Sequence, residues 1–405
     1  MRPTRRGLLR GAGLLGSLGL LGGPALLRAE DDQRHVLLFF CRGGWDTTTF
    51  FYPAFDTDAD MPEGSQQAWT GDIPWVDGED RPAVRSFMDA HGSELCLVNG
   101  IEVRSVTHDR CQRLVMTGSS SLDADDWGAL LAAHSGASLR LPHVVVQGPA
   151  FSSLHGSHVV RVGRGGQLPG LLDGSALDDL DQQVAAPGTS QAVEDLLAAR
   201  SRALSEREPS AVGRLAAEAL ERGRGLDELG MELSVGQDFR DQLVLALDCF
   251  EQKLSRSALV TFDGLWDQTF DSHADNAMQV RHFDLLFEEL AWLREELELR
   301  GLLERTTVLV FSEMGRHPQL NSLQGKHHWT HTSAMLFGAG VRGGQVVGGF
   351  GEDHTSLPVD LASGQTHDSG TPLLGGHLGA TLLKIAGVDP EGLLSEAPIE
   401  AILLD

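Results

Sequence analysis

Carboxylate and imidazole side chains gather after one buried strand in the C-terminal third of the chain. Residues 306–311 are almost all β-branched or apolar, which is typical of a parallel strand covered on both faces. The side chains after it that could do chemistry are Glu313, Arg316, His327, His328 and His331. Because open α/β sheets bind ligands outside the carboxyl ends of their strands, this set predicts a divalent metal site with Arg316 beside it. The alternative is a surface loop that is rich in histidine.

Similar side chains follow two other predicted strands. The strand at 35–41 breaks at paired glycines, which allow a sharp turn, and then presents Asp46. The strand at 258–262 is followed by Asp267, Asp271 and His273. We predict these four residues as further metal ligands. The alternatives are a helix cap for Asp46 and turn chemistry for the Asp-Ser-His sequence.

Two hydroxyl groups precede a predicted helix. Ser105 and Thr107 lie, together with His108, between a predicted strand at 94–100 and a predicted helix at 109–117. A hydroxyl in this position can cap the helix, which is the commoner role for either residue taken alone. It can also be a nucleophile, because helix N-termini favour anions. Ser105, Thr107 and Arg316 are therefore the candidate catalytic residues.

The surrounding pattern predicts the elements that must position these side chains. Strand-like and helical segments alternate, and an apolar stripe predicts a long helix over 278–300, so the fold class is α/β. Residues 53–90 lack periodicity and predict a long covering loop with a short helix near 81–91. The glycine-rich stretch 341–354 predicts a hairpin or loop. Residues 170–256 are rich in Ala, Leu, Arg and Glu and predict a helical insertion.

Composition narrows the classes of partner. The 405 residues are enough for one large α/β domain or for two domains. A net charge of −25 argues against binding to nucleic acid and against adsorption on anionic lipid. The four cysteines show no C-x-x-C spacing, which argues against a thiolate zinc site, and Cys41 and Cys96 are predicted to be buried.

The N-terminal residues 1–29 predict a targeting segment. Thr4-Arg5-Arg6-Gly7-Leu8-Leu9-Arg10 fits a twin-arginine signal, and the weakly hydrophobic stretch after it is unlike a membrane span. We expect the twin-arginine translocation machinery as a partner, a periplasmic or extracellular location, and no membrane span in the mature chain. The segment is either cleaved near Ala29 or retained as an anchor. This route exports folded proteins, which suits a protein that loads a metal first.

With these segments placed, the chain resembles the domain-of-unknown-function 1501 family, whose members are usually exported by the twin-arginine route and look like the alkaline phosphatase/sulfatase superfamily. The matching motifs are Arg42-Gly43-Gly44-Trp45-Asp46, Trp266-Asp267 to His273, Ser312-Glu313-Met314-Gly315-Arg316 with Gly325 and His328, and the glycine-rich segment Val341–Gly348. They span nearly the whole mature chain in the family's order.

The resemblance implies an alkaline phosphatase-like three-layer sandwich over residues 30–405, with the helical insertion at about 170–256. It implies one or two divalent ions (zinc, calcium or manganese) at the carboxyl ends of the strands. The residues that match the superfamily's ligands are Asp46, Asp267, Asp271, His273, Glu313 and His328 or His331, with His327 next to them. A nucleophile before a helix would be Ser105 or Thr107.

The chain departs from the superfamily pattern at several of these positions. Glu313-Met314 stands where the superfamily commonly has Asp-His, so one imidazole is missing there. The family's compact Trp-Asp-Thr-His is spread from Trp266-Asp267 to His273, and an Asp-His pair is His327-His328 here.

Two hypotheses follow from the sequence. The first is an exported metal-dependent hydrolase of phosphate or sulfate esters, with Arg316 or Arg42 stabilising the anionic transferring group. The second is an exported binding or structural protein that keeps the fold with a degraded site. Convergence of the predicted ligands on a common point would favour the first hypothesis.

Overall fold

The computed structural model describes residues 33–134, 139–162, 238–264 and 268–404, together with the isolated residues 195, 199, 202 and 203. The predicted targeting segment 1–29, most of the predicted insertion and Asp267 lie outside the described residues. Within the described part, no helix is long and apolar enough to cross a membrane.

The strands, in chain order, are β1 (His35–Cys41), β2 (Ser65–Thr70), β3 (Ile73–Gly78), β4 (Cys96–Glu102), β5 (His143–Val145), β6 (Val159–Arg161), β7 (Ser257–Phe262), β8 (Thr306–Phe311), β9 (Gly315–Arg316), β10 (His328–Trp329), β11 (His331–Gly338) and β12 (Gln345–Gly348). The α-helices are α1 (Pro82–His91), α2 (His108–Thr117), α3 (Trp127–His134), α4 (Phe239–Glu251), α5 (Ala277–Leu299) and α6 (Gly375–Ile385).

Eight of these strands form one mostly parallel sheet in the order β12-β4-β11-β8-β1-β7-β5-β6. Strand β11 runs antiparallel to both of its neighbours, and the other neighbouring pairs are parallel. The carboxyl ends of β1, β4, β7 and β8 therefore meet at one edge of the sheet, and the start of β11 lies at that same edge. Every predicted site residue within the described ranges follows one of these strands or lies beside β11.

The sheet lies between two hydrophobic cores, one on each face. Along β1, Leu37 and Phe39 pack into the core that contains α1, α4 and α5. Val36, Leu38 and Phe40 pack into the opposite core, which contains α2, α3 and α6. Successive side chains of a strand point to opposite faces, so a continuous apolar strand needs a cover on both sides. The predicted α/β architecture, with a mostly parallel sheet between helical layers, is confirmed.

Two local predictions were incomplete. The helix predicted near 81–91 is present as α1, but the rest of 53–90 is not only a covering loop, because β2 and β3 pair as a hairpin within it. A two-residue turn joins them, and Gly71 in that turn has a φ of +58°, as hairpin turns of this length require. The glycine-rich stretch 341–354, predicted as a hairpin or loop, also contains β12, which adds to the sheet in parallel beside β4.

Candidate metal centre

Three ligand-type side chains converge at the carboxyl edge of the sheet. His108 is the first residue of α2, Asp271 lies in the loop after β7, and His328 begins β10. One ligand atom from each lies within 4.8 Å of the other two. All three side chains are partly exposed, so a bound ion would still be accessible from solvent. Asp271 and His328 were predicted as ligands, and the structure brings them together.

A fourth predicted ligand, His273, adjoins this group. Its Nε2 lies 2.9 Å from Nε2 of His328 and 3.4 Å from an oxygen of Asp271. The Nδ1 of His328 lies 2.6 Å from the carbonyl oxygen of Val106, which can only accept a hydrogen bond. In neutral His328 the Nε2 is therefore unprotonated, and its lone pair faces the Nε2 of His273. Two imidazole nitrogens that face one another across this distance suit a shared cation.

Each histidine of the converging group is oriented by a partner behind it. Nδ1 of His108 donates to the buried carboxylate of Glu313 at 2.8 Å, and His328 donates to the Val106 carbonyl. The Glu313 carboxylate is itself fixed by the backbone N–H groups of Gly43 at 3.0 Å and Gly44 at 3.3 Å. A carboxylate or carbonyl behind a histidine fixes the tautomer and turns the other nitrogen toward the ion.

Asp271 is held in place by Arg316. The guanidinium is fully buried, and its Nη2 donates to Asp271 Oδ1 at 2.8 Å. The other donors are occupied by backbone carbonyls: Nε donates to Gly44 at 2.8 Å, Nη1 donates to Lys326 at 3.2 Å, and Nη2 also donates to Gly43. Arg316 thus joins the loops after β1, β7 and β8, and orients one carboxylate oxygen of the centre.

The charges of the group fit a cation site. In the protein without an ion, contacts with Asp271 and Glu313 raise the pKa of His108 to about 9. The His108 contact, followed by the charge of Arg316, lowers the pKa of Asp271 well below its usual range. Burial lowers the pKa of His273 and of His328, which favours the neutral imidazole that metal binding requires. A divalent ion that displaces the His108 proton would meet the same two carboxylates.

Two glycines let these loops approach one another. Gly43 has a φ of +114°, and a Cβ there would lie 2.6 Å from the backbone nitrogens of Phe270 and Asp271. A Cβ on Gly325 would lie 2.1 Å from the backbone of His273. These distances are shorter than any ordinary contact, so a larger residue would push the 270–273 loop away from the histidines. Two of the glycines that the sequence analysis used as motif markers therefore have a packing role at the centre.

The structure corrects the ligand role predicted for Asp46. Its side chain is fully buried and forms a 2.9 Å ion pair with Lys326, which is also fully buried. Its Oδ2 also accepts from Asn276 at 2.8 Å, and its Oδ1 accepts from the N–H and the hydroxyl of Thr48. The Lys326 ammonium completes its bonds with the Thr48 hydroxyl and the Asp60 carbonyl, each at 2.9 Å. Asp46 has an internal cation in place of a metal, and it also caps the short helix Thr47–Thr49.

Other predicted residues have different positions from those expected. Glu313 contacts His108 instead of supplying a converging ligand atom, and the donors of Arg316 are committed to Asp271 and to backbone, which leaves little for an anionic substrate. His327 is exposed, with its ring 5.8 Å from that of His273. His331 is buried outside the group and contacts Thr330 and Trp329.

The two candidate hydroxyls lie in the loop that leads to His108. Thr107 is the N-cap residue of α2 but its side chain makes no capping hydrogen bond, so the capping role is not what fixes it. Its hydroxyl lies 3.4 Å from that of Ser105. The loop that carries both also supplies the Val106 carbonyl to His328, and Arg104 in it has a left-handed φ of +61°. For a non-glycine residue this conformation is uncommon and is enriched at functional sites.

Sequence reasoning missed two residues of this region. His108 was noted only as preceding a helix, although its place after a strand end and beside two hydroxyls was a usable signal. Lys326 gave no signal, because a lysine next to a histidine pair reads as a solvated charge. Its burial depends on Asp46, which lies 280 positions away in the chain.

Comparison with known proteins agrees with the family resemblance over part of the chain. The sequence pattern of the family described as "Protein of unknown function (DUF1501)" matches residues 216–391, which confirms that resemblance for this segment. No curated protein matches the sequence.

Among solved structures, a protein in the alkaline phosphatase superfamily from Vibrio parahaemolyticus is 12% identical, with a TM-score of 0.39 over 91% of this chain and 71% of that one. The PsFucS1 sulfatase from Pseudoalteromonas sp. is 11% identical, with a TM-score of 0.40 over 89% and 69%. The C-terminal periplasmic domain of EcEptC from Escherichia coli is 9% identical, with a TM-score of 0.41 over 92% and 87%.

Proposed function

We propose that this chain is a metal-dependent hydrolase of phosphate or sulfate esters. The observation that carries the proposal is the convergence of His108, Asp271 and His328 within 4.8 Å, with His273 facing His328. Three imidazoles and one carboxylate form a donor set suited to zinc, and manganese also accepts such ligands. All-oxygen ligation, which calcium prefers, is not what this group offers.

Four residues of the centre would bind the ion, and Glu313 orients one of these ligands. His108, Asp271, His273 and His328 would hold one divalent ion, which when bound would polarise the ester oxygens and assist deprotonation of the attacking group. Glu313 keeps the Nε2 of His108 directed at the centre. The partial exposure of the ligands leaves a side open to the ester.

The attacking group would be Ser105 or Thr107, whose hydroxyls lie 3.4 Å apart in the loop that precedes α2, or a water molecule. Its oxygen would lose its proton and bond to the phosphorus or sulfur atom while the bond to the ester oxygen breaks, and the alcohol would leave with a proton. If a hydroxyl attacks, water would then hydrolyse the ester formed on the protein. Arg42 would stabilise the negative charge on the transferring group, because the donors of Arg316 are already bonded within the protein. Arg42 is 41% exposed and forms a 2.8 Å ion pair with Asp263 at the end of β7.

A specific observation favours a second function, that of a binding protein with a degraded catalytic site. The Lys326 ammonium forms an ion pair with the Asp46 carboxylate, so this carboxylate is not available to a second metal. A centre reduced to one ion could bind an anionic group without cleaving it. In this alternative the protein has the same fold and binds the metal, but it does not hydrolyse an ester.

Hydrolysis of p-nitrophenyl phosphate and p-nitrophenyl sulfate tests the proposal. The chain is stripped of metal, reloaded with zinc or manganese, and assayed beside His108→Ala and beside His331→Gln, a buried histidine outside the group. We expect metal-dependent release of nitrophenolate from at least one ester, lost in His108→Ala and retained in the control. Metal-loaded wild type that cleaves neither ester would favour the binding protein.

Export by the twin-arginine route is part of the proposal. It is supported by the Arg5-Arg6 motif and the weakly hydrophobic stretch after it. A fusion of residues 1–29 to a reporter that is active only after folded export should depend on the twin-arginine machinery and on Arg5-Arg6. Export that persists when both arginines are replaced by lysine would contradict it.

A further inference from the structure

A buried amide side chain lies behind the loop that carries two of the proposed ligands. Gln279 is in the first turn of α5 and is fully buried. Its Nε2 donates to the Phe270 carbonyl at 2.5 Å and to the Ser272 hydroxyl oxygen at 3.2 Å. Phe270 and Ser272 flank Asp271 in the chain, so one amide group bonds to both neighbours of a ligand.

The same amide also contacts the loop after β1. Its Oε1 accepts from the backbone N–H of Asp46 at 3.0 Å. Backbone N–H groups of that loop fix the Glu313 carboxylate, which in turn orients His108. Gln279 therefore joins the ligand-bearing loop after β7 to the loop that supports His108.

The bonding partners fix the orientation of this amide. Ser272 has one hydroxyl proton, which it donates to Asn276 Oδ1 at 2.9 Å, so its oxygen can only accept from Gln279. The Phe270 carbonyl can likewise only accept, and the Asp46 N–H can only donate. Exchange of the amide oxygen and nitrogen would place acceptor against acceptor at Phe270 and donor against donor at Asp46. The amide therefore bonds to both loops in a single arrangement.

An amide is not the side chain that packing alone would place at this position. The buried apolar face of α5 is formed by Phe283, Leu286, Phe287, Leu290, Leu293 and Leu297. Gln279 lies four residues before the first of these, on the same face of the helix. Because a buried amide needs a partner for each polar atom, an apolar residue would suit the core more simply. The bonds of Gln279 thus point to a role in holding the two loops.

We propose that Gln279 is a positioning residue of the metal centre, which sets the 270–273 loop so that the ligands on it face the histidines of α2 and β10. Gln279 is buried and would touch neither the ion nor a substrate; it acts through the two residues that flank the carboxylate ligand. This inference rests on the proposed metal centre, but it does not depend on ester hydrolysis. Asp46 takes part through its backbone N–H, so its side chain is not needed for this role.

The zinc affinity of the full chain, measured by competition with a chelator, tests this role apart from hydrolysis. Gln279→Met has a side chain of similar length without hydrogen-bonding groups, and we expect it to weaken zinc binding about tenfold, the lower end of the loss that follows removal of an outer partner of a ligand. Ser272→Ala removes one contact of the amide and should weaken zinc binding less. The matched control is Thr381→Val in α6, which removes the bonds of a buried hydroxyl to the His377 carbonyl and the Ile399 N–H. This control should bind zinc as the wild type does.

Cobalt provides a readout that a loss of stability alone would not change. The visible spectrum of bound Co²⁺ reports the coordination geometry of the ion. Protein loaded with cobalt should therefore give an altered spectrum in Gln279→Met and the wild-type spectrum in Thr381→Val. Circular dichroism confirms that each variant is folded under the conditions of the measurement.

The outcomes separate this inference from the proposed function. Wild-type zinc affinity and cobalt spectrum in Gln279→Met would overturn the inference and leave the proposed hydrolase intact, as would an equal loss of affinity in Thr381→Val. If Gln279→Met does not fold, wild-type zinc affinity in Ser272→Ala would overturn it. Weakened binding in Gln279→Met, with no hydrolysis by the wild type, would support the positioning role and contradict the proposed enzyme. A folded wild type that binds no zinc would contradict both.

Discussion

Breaking the buried ion pair between Asp46 and Lys326 should destabilise the protein without emptying the metal centre. Both side chains are fully buried, and the ammonium makes three bonds of 2.9 Å, to Asp46, Thr48 and the Asp60 carbonyl. Lys326→Met would leave a buried carboxylate with only Asn276 and Thr48 as partners. Removal of one partner of such a pair typically costs about 3–5 kcal/mol. Asp46→Asn should cost a similar amount, because it leaves the ammonium uncompensated.

The double variant Asp46→Asn/Lys326→Met should recover much of that loss, since no buried charge then remains unpaired. Urea unfolding followed by circular dichroism gives the free energy of unfolding for the four proteins of this cycle. Elemental analysis of the same samples gives their metal content. The reasoning would be refuted by additive losses of stability, or by Asp46→Asn protein that folds but no longer holds the metal. The second result would restore Asp46 as a ligand.

Three further predictions concern the support of the centre and the pH dependence of stability. Glu313→Gln should weaken zinc binding by about 10–100-fold, because His108 loses the carboxylate behind it. The control His331→Gln should bind zinc as the wild type does. Equal zinc affinities of Glu313→Gln and the wild type by calorimetry would contradict this role of Glu313. Gly43→Ala should lower both the free energy of unfolding and the metal affinity, because its Cβ would lie 2.6 Å from backbone atoms. The control Gly71→Ala is also at positive φ but in open space, so it should cost only about 1–2 kcal/mol of stability and keep the metal. Similar effects of the two variants in unfolding and binding assays would argue against the packing role. Burial lowers the pKa of His35 and His282 from the ordinary value of 6.5 to about 4. The folded protein should therefore be fully stable above pH 6.5 and lose about 3 kcal/mol of stability for each histidine as the pH falls from 6.5 to 4. His282→Gln should flatten the fall of the urea midpoint over that range, and an unchanged slope would count against this role.

Much of the fold was predictable because its signals are local. The apolar strands β1 and β8 were placed with their observed bounds, and the helix α5 with an error of one residue at each end. A strand buried on both faces and a helix with one apolar stripe are both visible in a short window of sequence. The hairpin of β2 and β3 was missed, because all six residues of β2 are at least partly exposed and no apolar alternation marks the strand.

The site was predictable in its components and less so in its roles. Asp271, His273 and His328 were selected as candidate ligands from their residue types after strand ends, and the shared edge of a mostly parallel sheet brings them together. The sequence could not tell a ligand from the residue that orients it, so Glu313 was given a metal role although it contacts His108. That distinction depends on a few ångströms between segments that are about 200 residues apart in the chain.

Charge pairing over long sequence distances explains the remaining errors. Asp46 and Arg316 have residue types that suit a metal and an anion, respectively. The structure gives each of them an internal partner, Lys326 for the first and Asp271 for the second. A sequence shows which groups are charged, but not which of them are already neutralised by one another.

The metal content of the purified full-length protein tests the central claim most directly. Elemental analysis of the wild type is set beside His108→Ala, His328→Ala and the control His331→Gln, with circular dichroism to confirm that each is folded. The account predicts one divalent ion per chain in the wild type and in the control, and loss of the ion in both alanine variants. A folded wild type without metal, or an ion retained in either alanine variant, would contradict it.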